Sequence, residues 1–216
     1  MKRIHLLLPI LALLCSCEET VKDYRYPSVI TDYACLITDK SGQPKLLTLD
    51  NGDRHSITFT DEYFEAYGGV PAYKNDTTYR VVSIYELDQD NVAHIYSIAQ
   101  TISIPPTPLK KGETLHQDPA YLQSCWLSGG YLNIVIELKA LNGRHGIGFV
   151  DTTPEAMKGK EITFYHYSNN DVESYRQKIY ASIPLTLLKD ELQQGDTLRF
   201  SINTYDNGIT LREFVM

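Results

Sequence analysis

The chain has 216 residues, of which 43% are hydrophobic, and carries 27 acidic against 20 basic residues, giving a net charge of −7. A negative surface repels phosphate backbones, so this composition argues against a nucleic-acid-binding protein. The length allows one large or two small domains, and the 16 tyrosines favour strands over helices.

The N-terminus reads as an export signal. A basic start precedes an apolar stretch at 4–14, which is too short to span a bilayer. Cys17 follows the small Ser16 and has the aliphatic Leu14 three positions before it, whereas Cys15 directly follows that large leucine. This pattern resembles the lipobox of bacterial lipoproteins. It predicts lipid attachment at Cys17.

The predicted signal peptide therefore covers 1–16 and a polar tether covers 17–28. Loss of the signal peptide leaves 18 basic against 27 acidic residues, a net charge of −9. Anionic lipid headgroups repel such a chain, so the covalent lipid has to anchor the protein. Glu18 and Glu19 resemble the surface-export signal of Bacteroidetes lipoproteins, although a plain solvated tether is the alternative. We expect an outer membrane lipoprotein, on the cell surface or the periplasmic face.

A first domain of short strands is predicted at 29–108. Asn51-Gly52 marks a hairpin, because both central residues of that turn need positive φ. One long strand should bend through a bulge or a strong twist. The pattern favours a small OB-like barrel over an open five-stranded meander. The predicted strands are 33–38, 45–49, 55–60, 78–87 and 92–104.

The tyrosine- and glycine-rich stretch at 61–77 interrupts these strands. Residues 61–67 could form a helical turn that plugs one end of the barrel, where an OB fold commonly places its helix. An aromatic lip for a ligand is the alternative, and we favour the plug.

Three prolines at 105–108 mark the domain boundary, since proline removes a backbone donor and stiffens the chain. A linker at 109–118 then leads to a β-sandwich at 119–216, whose strands each have one apolar face. Pro184 indicates an edge strand or a strand end, and 187–194 could form one helical turn. The predicted strands are 121–127, 131–140, 145–150, 161–167, 178–187, 196–205 and 209–215.

Two cysteines remain in the folded part, Cys35 and Cys125. An oxidising compartment permits a disulfide, but their separation in sequence favours two separate buried thiols. The histidines lack the short spacings of metal ligands. His145 and His166 could meet across the sandwich, where a structural bond to a loop carbonyl is the favoured role. We predict no metal and no cofactor.

Catalytic patterns are equally weak, so we predict no catalytic residues and no enzyme. There is no nucleophile elbow, and Ser128-Gly129-Gly130 reads as a hairpin turn. Adjacent acids such as Asp61-Glu62 would point to opposite faces of a strand and make no acid–base pair. Trp126 in a strand is typical of a core residue, and a sugar-stacking platform is the alternative.

Four short segments carry a resemblance to a known family. The stretch 125–134 (CWLSGGYLNI) is similar to the NigD-like lipoproteins of Bacteroidetes, and the similarity continues through 145–147, 165–171 and 182–185. That resemblance implies an N-terminal OB-like domain, a C-terminal β-sandwich and a suggested role in bacteriocin immunity. It implies no catalytic or ligand-binding residue.

The expected function is that of a non-enzymatic, lipid-anchored envelope protein that binds a protein partner. The alternative is a glycan-binding accessory lipoprotein, which would need an exposed Trp126 or a tyrosine platform near 61–77. The lipid would hold the chain at the outer membrane in either case, and neither function involves nucleic acid.

Overall fold

The structure of the protein is a computed structural model that describes residues 28–188 and 190–216. The predicted signal peptide, the predicted lipid-attachment residue Cys17 and the predicted tether up to residue 27 lie outside the described residues. Within the part that is described, no helix is both long and apolar enough to cross a membrane.

Five strands of the N-terminal domain close into a barrel in the order β1-β2-β3-β5-β4. This closed order confirms the OB-like prediction against the open meander, and a parallel pairing of β3 with β5 completes the circle. The barrel interior holds buried apolar side chains from all these strands except β3. The strands are β1 (Ile30–Thr38), β2 (Pro44–Leu49), β3 (Arg54–Phe59), β4 (Thr78–Leu87) and β5 (Ala93–Gln100).

A single helix, α1 (Asp61–Tyr67), plugs the barrel as predicted. The Thr60 hydroxyl accepts a hydrogen bond from the Tyr63 N–H and caps the helix start, and Gly68 ends the helix with a φ of 73°. Tyr63 is 2% exposed and belongs to the barrel core. The aromatic side chains of Phe64 and Tyr67 stay exposed on the outer side of the helix.

The segment that leaves the barrel corrects two expectations. The predicted strand 92–104 is wrong at its end, because β5 stops at Gln100 and Ile102 instead bridges to Ala181 of the sandwich. The prolines at 105–108 are predicted to stiffen a domain boundary, yet β6 (Thr107–Pro108) within them pairs in parallel with a sandwich strand. Pro108 is tolerated there because an edge strand can spare one backbone donor.

The C-terminal domain is a β-sandwich, as predicted. A five-stranded sheet in the order β13-β12-β10-β9-β6 faces a three-stranded sheet in the order β11-β8-β7. Its strands after β6 are β7 (Tyr121–Ser128), β8 (Tyr131–Ala140), β9 (Gly146–Asp151), β10 (Gly159–Tyr167), β11 (Tyr175–Pro184), β12 (Thr197–Thr204) and β13 (Gly208–Val215).

Strand alternation decides which side chains the sandwich buries. Leu132, Ile134, Ile136 and Leu138 of β8 are at most 2% exposed and face the opposite sheet. Each such burial contributes roughly 1.5–3 kcal/mol. Pro184 ends the edge strand β11, which agrees with its predicted position, but the strand covers Tyr175–Pro184 and the predicted bounds 178–187 are wrong. The helical turn comes earlier than expected, as a 3₁₀ helix at Leu185–Leu188.

Candidate functional site at the interdomain cleft

The barrel is joined to the outer face of the three-stranded sheet. The Tyr33 hydroxyl of β1 donates a hydrogen bond of 3.0 Å to the Ile134 carbonyl oxygen of β8. On the connecting segment, the Ile102 N–H donates to the Tyr180 carbonyl, and the Ser182 N–H donates to the Ile102 carbonyl. These bonds fix the barrel against the sandwich at the end of the sheet where β8 begins.

A buried polar network lies at the centre of this joint. The guanidinium of Arg80 is 2% exposed and binds both Asp50 carboxylate oxygens, at 2.5 and 2.8 Å. It also donates to the side chains of Asn133 at 2.9 Å and Ser182 at 3.3 Å. Burial alone would lower the pKa of Arg80, but the hydrogen bond and charge of Asp50 outweigh it and raise that pKa. Arg80 therefore stays charged.

The complete burial of Asn133 could not be predicted from the sequence. Strand alternation places it on the polar face of β8, and in the structure it does lie opposite the sandwich core, but the barrel covers it completely. Its amide oxygen accepts from Arg80 and from the Ser182 hydroxyl at 2.8 Å. The only sequence signal was an asparagine within a strongly apolar strand.

The turn between β7 and β8 fits closely against the network. Gly129 has a φ of +60°, and an added Cβ there would overlap the Asp50 carboxylate. The Arg80 guanidinium lies over the Tyr131 ring, 4.2 Å from its centroid. The turn at 128–130 is therefore a docking element for the barrel as well as a hairpin.

A cleft with a volume of about 450 Å³ opens beside this joint, and we call it the interdomain cleft. Three aromatic rings shape it: the Tyr33 ring is nearly perpendicular to that of Trp126 at 5.1 Å and to that of Tyr180 at 6.1 Å. The barrel supplies one wall and the sheet supplies the floor. The lining residues are Thr31, Asp32, Tyr33, Leu49, Asp50, Asn51, Val82, Trp126, Ser128, Val135 and Tyr180.

Trp126 differs from the prediction of an ordinary core residue. It is half-buried, lies outside the sandwich core and packs edge-on against Tyr33 at the joint. Its exposed part faces the interdomain cleft. This position agrees with the alternative role, in which Trp126 is accessible to a ligand.

Asp32 is the carboxylate of the interdomain cleft that has no basic partner among the residues that the structure describes. The Tyr85 hydroxyl donates to one of its oxygens at 2.8 Å, and this is its one hydrogen bond among the described side chains. A second cavity of about 500 Å³ shares Asp32 and Leu49 with the cleft and extends it toward His55. Burial, and then the hydrogen bond to Asp32, raise the pKa of Tyr85, so its hydroxyl keeps the proton.

The two cysteines are free, which confirms the prediction of two separate thiols. Both are half-buried, and the Cys35 sulfur lies 3.8 Å from the Tyr131 hydroxyl at the joint. Burial raises the pKa of Cys125 to about 12. That thiol is therefore protonated and unreactive at neutral pH.

His145 and His166 do meet, but not across the sandwich as predicted: His145 directly precedes β9 and His166 lies on β10, its neighbour in the same sheet. Nδ1 of His145 lies 2.8 Å from Nε2 of His166, whose Nδ1 donates to the Asp118 carbonyl as expected for a structural histidine. The remaining His145 nitrogen faces the Asp171 carboxylate at 3.2 Å. Burial lowers the pKa of His166 and favours its neutral form.

The histidines that the structure describes, the adjacent acids Asp61 and Glu62 and the exposed aromatic residues of α1 do not line the interdomain cleft. In residues 28–188 and 190–216, no three His, Cys, Asp or Glu side chains are grouped as ligands for a metal ion. Asp61 and Glu62 both lie in the first turn of α1, where they favour the helix start. The exposed Phe64 and Tyr67 are not among the residues that line the interdomain cleft.

Comparison with known proteins gives consistent matches in fold. The family model of the NigD-like C-terminal beta sandwich domain matches residues 103–216. A NigD-like immunity protein from Bacteroides caccae ATCC 43185 is 28% identical, with a TM-score of 0.70 over 89% of this chain and 99% of that one.

Two more distant structures share the same fold. A protein from Parabacteroides distasonis ATCC 8503, provisionally described as toxin-related, is 19% identical, with a TM-score of 0.62 over 87% of this chain and 93% of its own. A protein from Bacteroides fragilis NCTC 9343, provisionally described as a lipoprotein, is 10% identical, with a TM-score of 0.56 over 86% and 96%. No curated protein matches the sequence.

Proposed function

The chain belongs to the NigD-like family, and from this membership we propose that it is a lipid-anchored envelope protein that binds a protein partner in an immunity-related role. The immunity role is supported by the Bacteroides caccae relative, which is described as a NigD-like immunity protein. We propose binding without catalysis, because the description of this relative names an immunity role and no enzymatic activity. The interdomain cleft is the proposed binding site.

The single observation that carries partner binding is the aromatic cleft at a fixed joint. Binding sites for other proteins are enriched in partly exposed tryptophan and tyrosine, because these rings bury a large area at a low entropic cost. Trp126, Tyr33 and Tyr180 provide such rings. The Arg80 network holds the two walls of the cleft in place, so little ordering is needed on binding.

The anchor is the second part of the proposal. A lipid on Cys17 would hold the chain at the outer membrane and leave the cleft near the envelope surface, where an incoming polypeptide would meet it. Labelled palmitate should incorporate into the wild type and not into Cys17→Ala. Equal labelling of both chains would overturn the anchor while leaving the cleft proposal intact.

The role of the cleft as the binding site is tested by a substitution that obstructs it. Thr31 is exposed and lines the cleft, so Thr31→Arg should obstruct the site without disturbing the core. Ser56→Arg is the matched control, since Ser56 is an exposed barrel residue outside the cleft. A deletion strain carrying each variant is challenged with bacteriocins, and cross-linked envelope partners are identified.

We expect Ser56→Arg to restore the wild-type response and Thr31→Arg to fail. Unchanged bacteriocin sensitivity together with unchanged envelope contacts in the deletion strain would contradict partner binding as a whole. Full rescue by Thr31→Arg would contradict the cleft as the site.

A glycan is the second candidate ligand, because the half-buried Trp126 can stack on a sugar ring beside polar groups of the cleft. Oligosaccharide titration followed by tryptophan fluorescence would support this function, particularly if Thr31→Arg removed the response. A glycan that binds as well to Thr31→Arg as to the wild type would argue against a sugar site in the cleft.

A further inference from the structure

The charge of the interdomain cleft points to the chemistry of its occupant. The lining includes two carboxylates, Asp32 and Asp50, and contains no lysine, arginine or histidine. We propose that the cleft accepts a lysine or arginine side chain of the partner polypeptide, bound between the aromatic rings and the Asp32 carboxylate. This inference rests on the proposed partner-binding function and specifies the partner's charge.

The two carboxylates differ in availability. Asp50 already binds the Arg80 guanidinium through both oxygens and is 14% exposed, so its charge is compensated inside the protein. Asp32 receives one neutral hydrogen bond from Tyr85, and no described basic group pairs with it. It is half-exposed at the wall of the cleft. Asp32 is therefore the free charge that an incoming cation would meet.

The aromatic lining suits the same occupant. A cation is attracted to the face of a tryptophan or tyrosine ring, and a carboxylate close by adds a charge-assisted hydrogen bond. Trp126, Tyr33 and Tyr180 all line the cleft, and the Arg80 guanidinium already lies 5.4 Å from the Tyr33 ring centroid. This chain already uses such contacts internally, with the Arg176 guanidinium 3.9 Å from the Tyr121 ring centroid.

The net negative charge of the whole chain also favours a cationic occupant, and it acts over a longer range than the contacts in the cleft. The net charge of −7 would attract a cationic polypeptide and speed its encounter with the cleft. An acidic partner would instead bring its own charge against Asp32. A neutral sugar could donate a hydrogen bond to that carboxylate but would gain no attraction between opposite charges.

The test uses the only tryptophan of the chain as its reporter, because Trp126 lies in the cleft. The mature chain is titrated with three capped tripeptides, Gly-Arg-Gly, Gly-Gln-Gly and Gly-Glu-Gly, and the Trp126 fluorescence is followed. We expect a saturating change with the arginine peptide, weakened by added salt. The glutamine and glutamate peptides should bind at least tenfold more weakly.

Asp32→Asn keeps an oxygen that can accept from Tyr85, so the fold should survive while the charge is lost. Arginine-peptide affinity should fall at least tenfold in this variant. Asp206→Asn, an exposed turn residue outside the cleft, loses the same charge and should bind within twofold of the wild type.

Equal binding of the arginine and glutamine peptides, no response to either, or an unaffected Asp32→Asn would overturn the cationic occupant. If Thr31→Arg still abolished rescue in cells, the proposed function would stand and only this inference would fail. If Thr31→Arg rescued fully while the peptide bound, the cleft would remain a cation site without the immunity role.

Discussion

Replacing Arg80 with methionine should destabilise the joint between the barrel and the sandwich. Removing one partner of a buried ion pair costs about 3–5 kcal/mol, because the other charge is left without compensation. Asp50 keeps some solvent contact at 14% exposure, which favours the lower end of that range. We therefore expect a loss of about 3 kcal/mol in the free energy of unfolding.

This loss of stability is measured by urea unfolding, followed both by tryptophan fluorescence and by circular dichroism. Trp126 lies at the joint, so its fluorescence reports the separation of the domains, while far-ultraviolet circular dichroism reports all strands. With a denaturant slope of about 1–3 kcal/mol per molar, the fluorescence midpoint should fall by about 1–3 M urea. The dichroism midpoint should fall less if the two domains unfold separately.

Arg199→Met is the matched control. Arg199 also has two acidic partners, Glu161 at 2.9 Å and Glu213 at 2.7 Å, but it is 31% exposed on the outer face of the five-stranded sheet. Exposed ion pairs contribute about 0–1 kcal/mol. If Arg80→Met costs no more than Arg199→Met, the buried network does not stabilise the joint and the reasoning fails.

The remaining predictions concern other parts of the fold. Gly129→Ala should cost about 1–3 kcal/mol in urea unfolding, because φ is positive there and the new Cβ overlaps Asp50. The backbone N–H of Leu141 and neighbouring donors lower the pKa of Asp171 to about 2, below its unfolded value of about 3.9, so stability is present above pH 4 and falls toward pH 2. Asp171→Asn should flatten that acid limb in melting curves recorded against pH. Tyr63→Ala should cost about 3–5 kcal/mol and unfold the barrel first, as measured by hydrogen exchange of its strands.

The strands were predictable because their signals are local. The strand predicted at 131–140 from alternating apolar residues has the observed ends of β8, and the strand predicted at 78–87 has those of β4. Asn51-Gly52 correctly marked the β2–β3 hairpin. The segment after Gln100 was not predictable in the same way. Its prolines carry a local signal for a linker, whereas its actual pairing with β9 and β11 depends on strands far away in sequence.

The site was harder to predict than the fold, for a physical reason. Arg80 reaches Asn133 across 53 positions and Ser182 across 102, and neither asparagine nor serine in a strand has a local pattern that indicates a buried role. Tyrosine is favoured in strands for packing alone, so the contribution of Tyr33 and Tyr180 to a cleft could not be separated from that preference. Of the three aromatic residues of the cleft, only Trp126 was singled out in advance, and its position at the joint required the relative placement of the domains.

The joint and the interdomain cleft share residues, so stability and binding should be coupled. Asp50 and Tyr33 line the cleft, and both also hold the barrel on the sheet, Asp50 through Arg80 and Tyr33 through the Ile134 carbonyl. A ligand that fills the cleft would bind only the docked arrangement and would stabilise it by mass action. Arg80→Met should therefore weaken arginine-peptide binding although Arg80 is buried behind the cleft wall. Unchanged affinity in a measurably destabilised Arg80→Met would show that the cleft keeps its shape without the network.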